Sequence, residues 1–225
     1  MHQPTAPAPL LPRRPSCLRP AFLALLLLAY GGVASAQTGA NILVVANASS
    51  PDSLALAGEY AASRGVPPEQ VVRLTLPLAD DVEFTAFQRE IQVPLASWLA
   101  SRGLQDRILY IVLVKGVPLR IRGTTGRDGT VASVDSELAL LYRRMTGAVV
   151  PLTGAEPNPY YLGEQPLAAA RPFSRRAFDT YLVTRLDGYT AADVRSLIAR
   201  GAAPATRGVI VFDQKPPLDQ PGVNR

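Results

Sequence analysis

Four polar residues stand just past apolar runs of the chain: Asn47 closes NILVVAN, Lys115 follows ILYIVLV, Asp187 follows TYLVTRL and Asp213 follows GVIVF. Runs of this kind, rich in β-branched residues and bounded by Gly or Pro, read as strands buried on both faces of a sheet. In an open parallel sheet, ligands bind beyond the carboxyl ends of the strands. On that edge Lys115 supplies a point charge for an anionic or carbonyl group, Asp187 and Asp213 accept hydrogen bonds or bind a hard cation, and Asn47 orients what is bound. Turn chemistry offers a plainer account, because Asn and Asp beside Gly or Ser are ordinary turn formers. Under that account Lys115 is solvated or paired with one of the aspartates.

Three other stretches invite chemistry. Asp135 and Glu137 in SVDSEL suggest an acid–base pair, but residues two apart on a helix do not face each other. Helix capping by Ser133 or Asp135, with Glu137 favoured in the first turn by the helix dipole, explains them more simply. GTTGRDGT, with Arg120, Arg122 and Arg127 around it, resembles a phosphate cradle, yet it lacks the Gly-Lys-Ser/Thr ending of a P-loop. A surface hairpin is the expectation there. LALAGEYAA and FQREIQVPLASWL carry apolar residues at helical spacing, which is core packing, and Trp98 in the second needs no cofactor to explain it.

The only cysteine is Cys17 and the only histidine is His2. Both fall in a start that reads as a secretory signal: a proline-rich basic stretch, the short apolar run AFLALLLLAYGGV, and small residues at Ala34 and Ala36. The apolar run is shorter than the roughly 20 residues of a membrane span. Cleavage is expected between Ala36 and Gln37, by the general secretion route, leaving residues 37–225 as one domain in the periplasm or outside the cell. That segment has no Cys or His, so a thiolate nucleophile, a disulfide, a Ser-His-Asp triad and an ordinary zinc site are all excluded from it. No cofactor is expected. Without Arg13, Arg14 and Arg19 the charge balance becomes 20 Lys+Arg against 18 Asp+Glu. Such a balance is no nucleic-acid footprint, and the partner expected is an unknown envelope or extracellular one, with no membrane span after signal removal.

The elements that must position these residues follow in a regular order. NILVVAN is a strand, and SPDSLALAGEYAASRG a helix with Ser50 as N-cap, Pro51 at its first position and Gly65 as C-cap. VVRLTL is a second strand, Phe84 to Arg102 a long amphipathic stretch kinked or divided at Pro94, and Ile108 to Val114 a third strand. SVDSELALLYRRM reads as a helix, followed by an irregular, proline-broken connection. TYLVTRLDG is a strand, YTAADVRSLIARG a helix opened by the capping box Thr190-x-x-Asp193, and GVIVFD a further buried strand. The alternation predicts an α/β fold with a doubly wound, mostly parallel sheet, caspase/gingipain-like or flavodoxin-like. Because the chain stops soon after a strand that should feed another helix, the domain is expected to be incomplete, with its remainder beyond Arg225.

From 41 to 213 the chain resembles a family of exported bacterial proteins without an established activity, found in genomes that carry the exosortase protein-sorting system. The resemblance rests on NILVVANASSPDSLALAGEYAASRGVP, ILYIVLVKGVPLRI, SVDSELALL, NPYY and YLVTRLDGYTAADVRSLI. More distantly, YIVLVKGVP, NPYYLG and TRLDGYTAADVRSLI are similar to the N-terminal subdomain of gingipain-type peptidases, of the caspase-like fold. That resemblance implies a fold. The His and Cys of gingipain-type catalysis come from a later subdomain, and no residue here receives either role. Two functions remain open: a relative of caspase-like hydrolases, or a non-catalytic envelope or extracellular binding module.

Overall fold

The computed structural model describes residues 37–123, 132–150, 157–159, 161–203 and 207. The expected signal segment, residues 124–131 with Arg127, and the expected strand GVIVFD with Asp213 lie outside the described residues. Strand β1 (Ile42–Asn47) leads into helix α1 (Pro51–Arg64), and a short 3-10 turn (Pro68–Gln70) precedes β2 (Val71–Leu74). After β3 (Asp81–Glu83), helices α2 (Phe84–Phe87) and α3 (Val93–Ser101) are joined by a π turn over Gln88–Gln92. Then come β4 (Tyr110–Val114), β5 (Arg120–Arg122), β6 (Ala132–Ser133), α4 (Val134–Ala139), α5 (Leu141–Met145), β7 (Leu182–Leu186) and α6 (Ala191–Ala202).

The main sheet has the order β2-β1-β4-β7 with every pairing parallel, so the fold is α/β and doubly wound. Strand residues alternate between its two faces. Val44, Ala46, Val112, Val114 and Leu186 pack with Leu56, Ala57 and Ala61 of α1 and with Val194 and Ile198 of α6. Leu43, Val45, Val72, Ile111 and Leu113 pack on the other side with Phe87, Ile91, Leu95 and Leu99, and with Leu138 and Leu141 of α4 and α5. The chain thus leaves β1 over one face and returns past it to β4 over the other. The two connections diverge at the carboxyl ends of β1 and β4, which is the switch point where such sheets carry their crevice.

Local chemistry accounts for the boundaries. Ser50 accepts from the Ser53 amide, Pro51 opens α1, and Gly65 ends it at φ 59°, as its sequence predicts. Pro94 lies inside the stretch from Phe84 to Ser101, where it can neither donate a backbone bond nor tolerate the carbonyl four residues back. The helix absorbs this by widening into the π turn immediately before it, which keeps Ile91 and Leu95 on the core side. SVDSELALLYRRM is divided at Leu140, whose ψ of 0° interrupts the expected single helix. Opposite the main sheet's carboxyl edge, β5 pairs in parallel with β3 and antiparallel with β6. The flanks of the GTTGRDGT segment therefore pair as a hairpin.

Two carboxylates, one exposed and one partly buried, tie stability to pH. Thr190 donates its amide and hydroxyl to Asp193, each at 2.8 Å, and these bonds hold the Asp193 carboxyl below its ordinary range. Arg122 and Arg120 do the same for Asp81. A folded-state value below the unfolded one, about 3.9, means stabilisation that is present above that pH and lost as pH falls through the folded value. Thermal melts across the acid range should show a decline beginning near pH ~4 that is shallower in D193N. An identical decline in both proteins would remove Asp193 from the account.

Candidate functional site

The carboxyl edge is built by three loops. After β1 the chain turns at once into α1: the Ser50 amide donates to Asn47 O at 3.1 Å, and the Asn47 amide donates to Ser53 Oγ at 3.0 Å. After β4, Val117 N donates to Val114 O at 3.1 Å across a tight turn, with Gly116 in the left-handed region at φ 95°. A side chain at Gly116 would also meet Ser50, since a Cβ built there lies 3.3 Å from Ser50 Cβ. Glycine is therefore required both for the turn and for the approach of this loop to the start of α1. After β7, Asp187 and Gly188 lead to the Thr190 cap of α6.

Asn47 is fully buried and its carboxamide joins these loops. Its Nδ2 donates to Gly116 O at 2.7 Å and to Pro77 O at 3.4 Å, while its Oδ1 accepts from Ser49 N at 2.9 Å and Leu76 N at 3.1 Å. Two donors and two acceptor positions are the full capacity of an amide side chain. Asn47 acts on the crevice through the loops it fastens.

Lys115 and Asp187 meet. Lys115 Nζ donates to Asp187 Oδ1 at 3.2 Å and to Gly188 O at 2.6 Å, with about a third of each side chain exposed. They line a cavity of about 410 Å³ at the switch point. Its polar lining is completed by Ser50, Asp52 and Asp80, and its apolar lining by Leu78, Val117 and Leu119. An ammonium group, three carboxylates and an apolar wall thus converge within one crevice. Among the described residues no cluster of His, Cys, Asp or Glu is arranged to hold a metal ion, and no helix is long and apolar enough to cross a membrane.

Of the four edge residues read from the sequence, Lys115 and Asp187 line the cavity, Asn47 lies beneath it, and Asp213 is outside the described residues. Asp135 and Glu137 go elsewhere. Ser133 is the cap of α4, Asp135 accepts from Arg185 Nε at 2.8 Å, and Glu137 from Arg144 at 2.7 Å. Arg120 and Arg122 both bind Asp81, so the two guanidinium groups hold a carboxylate of the chain where a cradle would hold a phosphate. Sequence reasoning did not single out Asp52, Asp80 or Arg185. Asp52 reads as an ordinary first-turn acid, and Asp80 precedes a strand too short to show a period. Arg185 is largely buried on β7 and donates to Val117 O at 2.8 Å and to Pro118 O at 2.5 Å, which fixes the β4 loop along the cavity wall. Its sole signal is a cation inside the strand LVTRL.

No family model matches the chain, and neither a curated protein nor a solved structure does.

Proposed function

We propose that this chain is an exported α/β protein that binds a small zwitterionic ligand at the carboxyl edge of its sheet, as a non-catalytic envelope or extracellular module related in fold to caspase-like hydrolases. The observation that carries the reading is the switch-point cavity, where Lys115 stands with Asp52, Asp80 and Asp187. A carboxylate or carbonyl group satisfies the ammonium, and an ammonium or amide N–H group satisfies the aspartates. Leu78 and Leu119 cover the apolar remainder. Amino acids and short peptides are the simplest class with that chemistry. The volume suits them as well, lying within the roughly 300–1,000 Å³ of small-molecule sites. The lack of Cys and His after residue 36 supports binding over thiol hydrolysis.

Trialanine is the test ligand, titrated calorimetrically into the protein with N-acetylated, C-amidated trialanine as the control. Binding at a Kd of about 1 mM or tighter, near −4 kcal/mol, that fails in K115M and D80N and for the capped peptide, is the expected result. Binding unchanged by either substitution refutes the site assignment. Peptide hydrolysis abolished by a thiol reagent refutes the non-catalytic assignment.

Export carries its own test. After expression in a Gram-negative host, N-terminal sequencing of the periplasmic protein should begin at Gln37. Recovery of membrane-bound protein that retains Met1 would contradict cleavage.

A further inference from the structure

Asp187 is followed by Gly188, and in an Asp–Gly pair no side chain hinders attack of the glycine amide on the preceding side-chain carboxyl carbon. Packing preserves this labile pair. A Cβ at Gly188 would lie 2.9 Å from Asp193 Cβ, so a bulkier and more protective residue does not fit against the first turn of α6. About a third of the Asp187 side chain is exposed, leaving it open to water.

The surroundings hold the reacting groups in an unproductive arrangement. Gly188 N donates to Asp187 Oδ1 at 2.8 Å, which directs the N–H toward an oxygen and away from attack on Cγ. Lys115 donates to that same oxygen at 3.2 Å and to Gly188 O at 2.6 Å. A single ammonium thus clamps the carboxylate and the peptide unit that follows it. Lys115 is itself anchored, its amide donating to Leu186 O at 3.0 Å.

We propose that Asp187–Gly188 is a site of spontaneous isoaspartate formation, and that Lys115 governs its rate. When the clamp opens and the carboxyl is protonated, Gly188 N bonds to Asp187 Cγ. One carboxyl oxygen leaves as water, taking the amide proton and the carboxyl proton, and a succinimide remains. Water then adds to this ring. Addition at Cγ restores aspartate, whereas addition at the main-chain carbonyl carbon leaves the chain running through the side-chain carbonyl. No oxidant or second reactant is needed. The isoaspartyl product has one more backbone carbon three residues before the Thr190 cap, and it withdraws the Asp187 carboxylate from Lys115. The wall of the switch-point cavity therefore changes as the molecule ages. This inference concerns the Asp–Gly turn alone and stands whether or not the cavity binds trialanine.

The test incubates wild type, K115M, K115Q and K115R at neutral pH and physiological temperature, alongside a synthetic peptide of residues 182–192. Isoaspartate at position 187 is quantified in the tryptic peptide by electron-transfer fragmentation, and thermal melts identify which variants remain folded. Wild type should isomerise many-fold more slowly than the free peptide. Folded K115M or K115Q should approach the peptide's rate, with K115R, which restores a cation, close to wild type. Wild type as fast as the peptide, or a folded neutral variant as slow as wild type, overturns the proposal. If neither neutral variant folds, K115R decides alone: a rate near wild type upholds the clamp, and a rate near the peptide's overturns it.

Discussion

Asn47→Ala should lower the melting temperature by roughly 8–16 °C, the shift that a loss of about 4 kcal/mol produces in a domain of this size. Truncating the carboxamide strands four groups at once: the amides of Ser49 and Leu76, and the carbonyls of Gly116 and Pro77. A neutral hydrogen bond contributes about 1 kcal/mol net, and a buried group left unpaired costs about 1–3 kcal/mol. With Asn47 wholly buried, water does not substitute freely. Asn47→Asp preserves the shape but removes both donors and sets a carboxylate against two carbonyl oxygens, so it should be at least as damaging. Lys115→Met should behave differently, because the Lys115–Asp187 pair is partly exposed and such pairs contribute only about 0–1 kcal/mol. Calorimetry on the three variants separates the two kinds of edge residue. An Asn47→Ala protein that melts within about 4 °C of wild type, equivalent to about 1 kcal/mol, would mean that these loops hold themselves.

Much of this architecture was legible because local signals and core packing agree. Ser50, Pro51 and Gly65 mark both ends of α1, Thr190 and Asp193 mark the start of α6, and NILVVAN, VVRLTL, ILYIVLV and TYLVTRL mark the four strands of the main sheet within a few residues of their ends. The tertiary pairings were not legible. β3 and β6 are two or three residues long, too short for a period to declare itself, and exist because β5 lies between them. The roles of polar residues were similarly hidden. Asn47 has the same local sequence whether it faces a ligand or fastens backbone, and only the approach of Gly116 and Leu76 decides. Asp135 pairs with Arg185 fifty residues later, a separation that no helical spacing rule reaches. Parallel strands place their carboxyl ends side by side, so topology alone is enough to bring Lys115 and Asp187 onto one edge.

At the opposite end of the sheet, Arg175→Ala should destabilise by about 3 kcal/mol, a loss of roughly 6–12 °C. No local signal marks this arginine, which lies in an irregular segment outside every helix and strand. Its guanidinium donates to Thr180 O and Ile108 O, each at 2.8 Å, and more weakly to Phe178 O at 3.4 Å. The same group sits 4.0 Å from the ring centre of Tyr142 and 4.7 Å from that of Tyr181. Ile108 precedes β4 and Thr180 precedes β7, so one side chain ties the entries of two neighbouring strands. Hydrogen bonds from a charged donor contribute about 1.5–3 kcal/mol each, and a desolvated cation–π contact about 2 kcal/mol. Against these stand the desolvation that lowers the Arg175 pKa and a buried Nε without a hydrogen-bond partner among the described residues, which is why the expected net is well below the sum. Burial also raises the Tyr181 pKa, so the ring stays neutral and donates to Gln105 O at 3.0 Å. Arg175→Lys keeps the charge but loses the planar fork, and should recover no more than about half of the loss. Full recovery by lysine would show that charge alone suffices, and that the bidentate reach to Thr180 and Ile108 contributes nothing to holding the strand entries together.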